Sequence, residues 1–292
     1  MWKYIKEGSL LNNNLAISRV FSQCSLKELC TDNPSLLQSI VKRYNIISDG
    51  NKTYEEVISE VYCFLDKHYR NEYYYKNTLL NKLIINVHRV KTTTALTEVP
   101  IAKSKADVIM INGKAVVYEI KTALDTLERL QTQLRDYYKA FDHVCVVVDE
   151  TRLPVISSLL SDSPVGIYVL SRRGAIHREK EPKTYKELLD KSVMFRILNK
   201  PEYESILQKR FGRLPSATPV HYYRECRRQF SELSTDAAYE EFITILKKRN
   251  RIETIDFSII PYALRFLVYF SGYNFQDVQR LTSFLGEYYT ED

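Results

Sequence analysis

Residues 105–122 read KADVIMINGKAVVYEIKT: an aspartate, an apolar run, an Asn-Gly pair, a second apolar run, then Glu-Ile-Lys. The alternation and the Asn112-Gly113 turn signal predict two antiparallel strands joined by a tight hairpin. Side chains alternate along a strand, so Glu119 and Lys121 share one face while Tyr118 and Ile120 point to the other. Val116, Val117, Tyr118 and Ile120 are apolar, which predicts burial on both sides. A carboxylate and an ammonium in that setting need partners or a chemical role. The loop decides whether Asp107 joins them. A two-residue Asn112-Gly113 loop sends Asp107 to the opposite face, whereas a three-residue loop, Ile111 to Gly113, brings it to the face of Glu119 and Lys121. The expectation is the three-residue turn with Gly113 left-handed, or a bulge that restores the same parity.

Outward from this hairpin the two-residue period persists. LTEVPIA (96–102) reads as a preceding strand, and HVCVVVD (143–149) is uniformly apolar and β-branched, as a strand covered on both faces should be. Between them the period turns helical, with Leu127, Leu130, Leu134, Tyr137 and Phe141 on one stripe and Asp125 and Glu128 at capping-box spacing. A short helix (153–161) and a strand (165–170) follow. Strands in a meander followed by helical crossovers indicate an α/β fold with a mixed sheet. The first 90 residues read as helices, punctuated at Asn33-Pro34 and Asp49-Gly50, and residues 183–292 are helical again. Three segments are therefore expected: 1–90, 91–182 and 183–292.

The chain of 292 residues, 45% hydrophobic, is long enough to bury a substantial core. Its five cysteines are scattered without a C-x-x-C pair, which argues against a disulfide framework or a zinc or iron–sulfur site and fits a reducing cytoplasm. The opening MWKYIKEGSLLNNN lacks the apolar run of a secretory signal. IIPYALRFLVYF (259–270) is too short to span a bilayer and carries Pro261 and Arg265, so it reads as a buried helix with no membrane role. The net charge is +6, and residues 177–230 alone hold 13 Lys and Arg against 7 Asp and Glu. That surplus suits a polyanionic partner or a solvated helical surface.

Two carboxylates converging beside a lysine make a site for a hard divalent cation, with Asp107, Glu119 and the carbonyl of Ile120 supplying oxygens. A water on such a cation is a nucleophile, and Lys121 would orient it and offset charge on a phosphate. Glu181-Pro182-Lys183 has the same spacing, but its proline argues against a central strand. Gln133 and Tyr137 lie one turn apart on the helix after the hairpin. The runs Tyr73–Tyr75 and Tyr222-Tyr223 read as packing or as platforms for unpaired bases.

Asp107, Glu119-Ile120-Lys121 and Gln133-x-x-x-Tyr137 together resemble the PD-(D/E)XK nuclease superfamily, the restriction-endonuclease-like fold, in its exonuclease-like branch. Residues 98–149 and the later LKKR (246–249) also resemble an uncharacterised bacterial and phage family assigned to that superfamily. The resemblance implies a β-β-β-α-β-α-β core and a nuclease dependent on magnesium or manganese. In it Asp107 and Glu119 would hold metal, Lys121 would be the catalytic lysine, and Gln133 and Tyr137 would position substrate or water. Ala106 stands where the superfamily's name has proline. A further acidic ligand is expected from Glu98, with Glu55, Glu56, Glu60 and Glu72 as alternatives. The implied partner is nucleic acid, DNA favoured over RNA, bound by a single chain or a homodimer. The reading from a different class is a catalytically silent binding module of the same fold.

Overall fold

The computed structural model describes residues 16–46, 51–85, 92–249 and 255–291. The Asp49-Gly50 turn and the opening fourteen residues lie outside them. After helical residues 16–18 and a 3-10 turn, Arg19–Phe21, come α1 (Gln23–Leu29), α2 (Ser35–Tyr44), α3 (Tyr54–His68) and α4 (Glu72–Leu79), the last running into a π-helical stretch, Leu80–Ile85. Strands β1 (Thr94–Ile101), β2 (Ser104–Asn112) and β3 (Lys114–Lys121) follow, then α5 (Leu130–Tyr137), β4 (His143–Asp149), α6 (Leu153–Leu159), β5 (Gly166–Leu170) and β6 (Ile176–Lys180). Helices α7 (Lys191–Ile197), α8 (Lys200–Phe211), α9 (Pro219–Ser231), α10 (Thr235–Lys247), α11 (Arg265–Ser271) and α12 (Phe275–Leu285) complete the described chain. The protein is a mixed α/β structure.

The six strands lie in one sheet in the order β1-β2-β3-β4-β5-β6. β3, β4 and β5 are parallel, and the remaining neighbours are antiparallel. β6 was not anticipated. Its sequence, IHREK, has no apolar alternation, because it is a largely exposed edge strand that pairs only with β5. β4, by contrast, is buried along Val144–Val148, as its uniform apolar run predicts.

Contacts divide the chain differently from the three expected segments: one unit is Met1–Val87 with Arg251–Asp292, the other His88–Asn250. Residues 183–250 are not a separate domain. Val193, Phe195, Phe230 and Phe242 belong to the same apolar core as Val117, Val146, Leu134 and Phe141. A helix stripe is amphipathic whether it faces a partner helix or a sheet, so periodicity could not locate this boundary.

In the first unit, α3 starts with a capping box between Thr53 and Glu56. Tyr73, Tyr74 and Tyr75 are all buried, Tyr73 stacking on Phe21 at 5.0 Å between centroids. Packing therefore explains this run. Residues 259–270 form a 3-10 turn and α11, whose Phe266–Tyr269 are buried, although Ile259 and Tyr262 are exposed.

In the second unit the hairpin register runs from Val108↔Tyr118 to Asn112↔Lys114. Gly113 stands alone at the tip with φ +73°, the left-handed conformation expected of it. The loop differs from the expected Ile111–Gly113: Met110 faces Val116, where that loop would have put Lys114. The shift is by two residues, so the parity holds and Asp107 lies on the face of Glu119. The capping box at Asp125 and Glu128 does not form. Asp125 Oδ2 instead accepts from Thr122 N (2.7 Å) and Thr122 Oγ1 (2.8 Å), closing the turn after β3, and α5 begins five residues later.

Candidate active site

Ala115, Val117, Glu119 and Lys121 occupy one face of β3, and the first two belong to the core beneath α5. Glu119 and Lys121 continue that row to the C-terminal end of the strand. Both are buried, Glu119 at 2% exposure.

The carboxylate is fully engaged. Glu119 Oε1 accepts from Lys121 Nζ (2.7 Å) and from Gln133 Nε2 (2.6 Å), while Oε2 accepts from Tyr137 OH (2.5 Å). Lys121 Nζ also donates to Gln133 Oε1 (2.9 Å), so the amide bridges both members of the pair. Gln133 and Tyr137 reach the same carboxylate because one helical turn separates them on α5. Burial and the adjacent Glu119 charge both push the Tyr137 hydroxyl's pKa up, so it stays a proton donor.

Asp107 is half-buried on β2, and its Oδ2 accepts from Ile120 N at 2.7 Å. That bond ties the aspartate to the backbone between Glu119 and Lys121. The β1–β2 register passes from Thr97↔Val108 directly to Val99↔Ala106, which sets Glu98 opposite Asp107. Glu98 has φ +57°, a left-handed conformation in mid-strand that costs a non-glycine residue about 1–3 kcal/mol. One carboxylate oxygen from each of Glu98 and Asp107 lie within 4.8 Å of one another. Glu98 is also ion-paired with Lys105.

All the residues singled out in the sequence thus converge: Asp107, Glu119, Lys121, Gln133 and Tyr137, with Glu98 beside Asp107 and the Ile120 peptide between. Three of the other acidic candidates are placed elsewhere in the first unit. Glu56 caps α3 and Glu60 pairs with Lys52. Glu55 is exposed on α3. Lys105 was missed by the sequence reading. Its carbonyl accepts from Tyr137 OH at 2.9 Å, and strand alternation puts it on the face of Asp107, a signal that was available.

Glu98 and Asp107 bring two hard carboxylates together across a distorted ladder, the kind of donor that suits a hard cation. Glu119 stands outside that grouping, its charge balanced by Lys121 and its oxygens already bonded. Among the described residues, no helix is long and apolar enough to cross a membrane.

Residues 66–258 match the family model described as "Bacteriophage P4 protein cII". Protein cII of Enterobacteria phage P4 is 28% identical over 156 residues, which cover 52% of this chain and 57% of that protein's length. No solved structure matches. The family match takes in well over half of the chain, including the whole sheet and every residue of the cluster around Glu119: the chain belongs to the bacteriophage P4 protein cII family.

Proposed function

We propose that this protein is a metal-dependent nuclease, its sheet a restriction-endonuclease-like core and its substrate nucleic acid, with DNA favoured. The observation that carries the reading is the convergence on one sheet end of Asp107, Glu119, Lys121, Gln133 and Tyr137, drawn from two strands and a helix. Asp107, Glu119, Glu98 and the Ile120 carbonyl are the groups that would hold magnesium or manganese. The cation, when bound, would supply a water acidic enough to attack a phosphodiester at neutral pH. Lys121 would hold that water and offset charge on the phosphate. Gln133 fixes the direction of the Lys121 ammonium, and Tyr137 anchors Glu119 to the start of β2 through the Lys105 carbonyl.

A silent binding module is the second reading, and one observation favours it. Both oxygens of Glu119 are already satisfied within the protein, as a structural ion pair would require. The test is incubation of the purified protein with labelled single- and double-stranded DNA and RNA in magnesium, manganese or chelator, beside Asp107→Ala and Lys121→Ala. Metal-dependent cleavage that falls by about 10²-fold or more in each variant supports the nuclease. Absence of cleavage and of metal binding by the folded wild type supports the module.

A further inference from the structure

A cleft of about 740 Å³ opens beside α5, within the second unit. Its walls come from the β1–β2 turn, from α5 and from α7, and include Lys103, Gln131, Thr132, Arg135, Lys139 and Arg196. The candidate site lies at the same end of the sheet. The β1–β2 turn leads straight into β2 and Asp107, and α5 presents Gln133 and Tyr137 to Glu119 while Gln131, Thr132, Arg135 and Lys139 line the cleft.

Two acids share the lining, and both are satisfied internally. Asp136 accepts from Lys103 N (3.2 Å), Ser104 Oγ (2.8 Å) and Lys139 Nζ (2.5 Å). Burial raises its carboxyl's pKa, but these bonds outweigh that and hold it below the usual carboxylate range, so it stays ionised and neutralises Lys139. Asp190 Oδ1 caps α7 through Ser192 N (2.7 Å) and Val193 N (3.3 Å). Lys103, Arg135 and Arg196 are left exposed, and none of the three is ion-paired with a described residue. With Asp136 offsetting Lys139 and Asp190 offsetting one further charge, the lining keeps a surplus of two positive charges, and with Gln131 and Thr132 it carries the donor set that proteins use on phosphate oxygens. The lining holds no aromatic side chain, so the cleft offers no platform on which bases could stack.

We infer that this cleft holds the sugar–phosphate backbone of a nucleic-acid strand leading away from the candidate site, with Lys103, Arg135 and Arg196 on phosphates and no reading of bases. The inference rests on the proposal that nucleic acid is the ligand, whether it is cleaved or only bound. Arg196 comes from the basic 177–230 segment, whereas Lys103 and Arg135 come from outside it.

The experiment is fluorescence-anisotropy titration of labelled oligonucleotides of several unrelated sequences with the full chain, in chelator and over a range of salt. Arg135→Ala/Arg196→Ala is compared with Arg135→Lys/Arg196→Lys and with the charge-matched pair Arg224→Ala/Arg228→Ala on α9. The expected result is binding weakened of order tenfold by the cleft alanine pair on every sequence, with the slope of log affinity against log salt reduced by about 1.5. The lysine pair retains most of the binding and the α9 pair all of it. Equal losses from the two alanine pairs, or wild-type binding by the cleft pair, would overturn the assignment. So would displacement of the strand by mononucleotide at equal nucleotide concentration, which would make the cleft a free-phosphate site. Cleft-dependent binding without metal-dependent cleavage would remove the nuclease and keep the cleft. Asp107-dependent cleavage by a protein whose binding ignores the cleft variants would do the reverse.

Discussion

Two buried carboxylates stand at opposite ends of the parallel β3–β4 pair, and their surroundings differ. Asp142, just before β4, accepts from Tyr239 OH (2.5 Å) and sits 2.7 Å from His143 Nδ1, whose Nε2 in turn meets Thr184. Its own carbonyl accepts from Tyr185 N. This network joins β4, residues 184–185 and α10, and among the described residues no second acid hydrogen-bonds within it. Glu119, at the other end, is equally saturated, but the neighbouring peptide is held by Asp107, with Glu98 across the ladder. Saturation of a buried carboxylate is thus what any folded chain must achieve. What separates the candidate site from a structural clamp is the gathering of further carboxylates at a strained strand.

The largest effect is expected at Glu119. Glu119→Ala strands the Lys121 ammonium in a buried place and should cost about 3–5 kcal/mol in urea unfolding, with Glu119→Gln costing less. A loss under about 1 kcal/mol would mean that the pair is open to water. Next, Tyr137→Phe and Tyr239→Phe each remove a hydroxyl bonded to a buried carboxylate, and each should cost about 1–3 kcal/mol. Only Tyr137→Phe should also depress cleavage. Equal effects on cleavage would erase the distinction between the two ends.

Acid sharpens the contrast further. Desolvation tends to raise the Asp142 pKa, but the hydrogen bonds from His143 and Tyr239 outweigh it and leave the group below the usual carboxylate range. A depressed folded pKa stabilises the protein above the unfolded value of about 3.9, and the contribution is lost as pH falls through the folded pKa. The stability gap between wild type and Tyr239→Phe should therefore narrow below about pH 4 in thermal melts. A gap that stays constant to lower pH would deny Asp142 this role. The smallest effect is expected at the hairpin tip. A Cβ on Gly113 meets nothing within 4 Å, so Gly113→Ala should cost only the left-handed conformation, about 1 kcal/mol. A larger loss would mean that the tip is packed.

Local spacing made much of this protein legible. Alternation and the Asn-Gly pair located β2 and β3, a uniform apolar run located β4, and Glu119-x-Lys121 with Gln133-x-x-x-Tyr137 named residues that do meet. These features follow from side chains repeating every two or every 3.6 residues, which is written within a few positions of each residue. The tertiary structure alone decided the rest. It fixed the two-residue shift of the hairpin, the capture of Asp125 by Thr122 and the left-handed Glu98. It also set the polar edge strand β6 and the packing of residues 183–250 onto the sheet core. Each of these depends on a partner distant in sequence or on a backbone conformation that no residue type demands, and such choices are settled only when the whole chain packs.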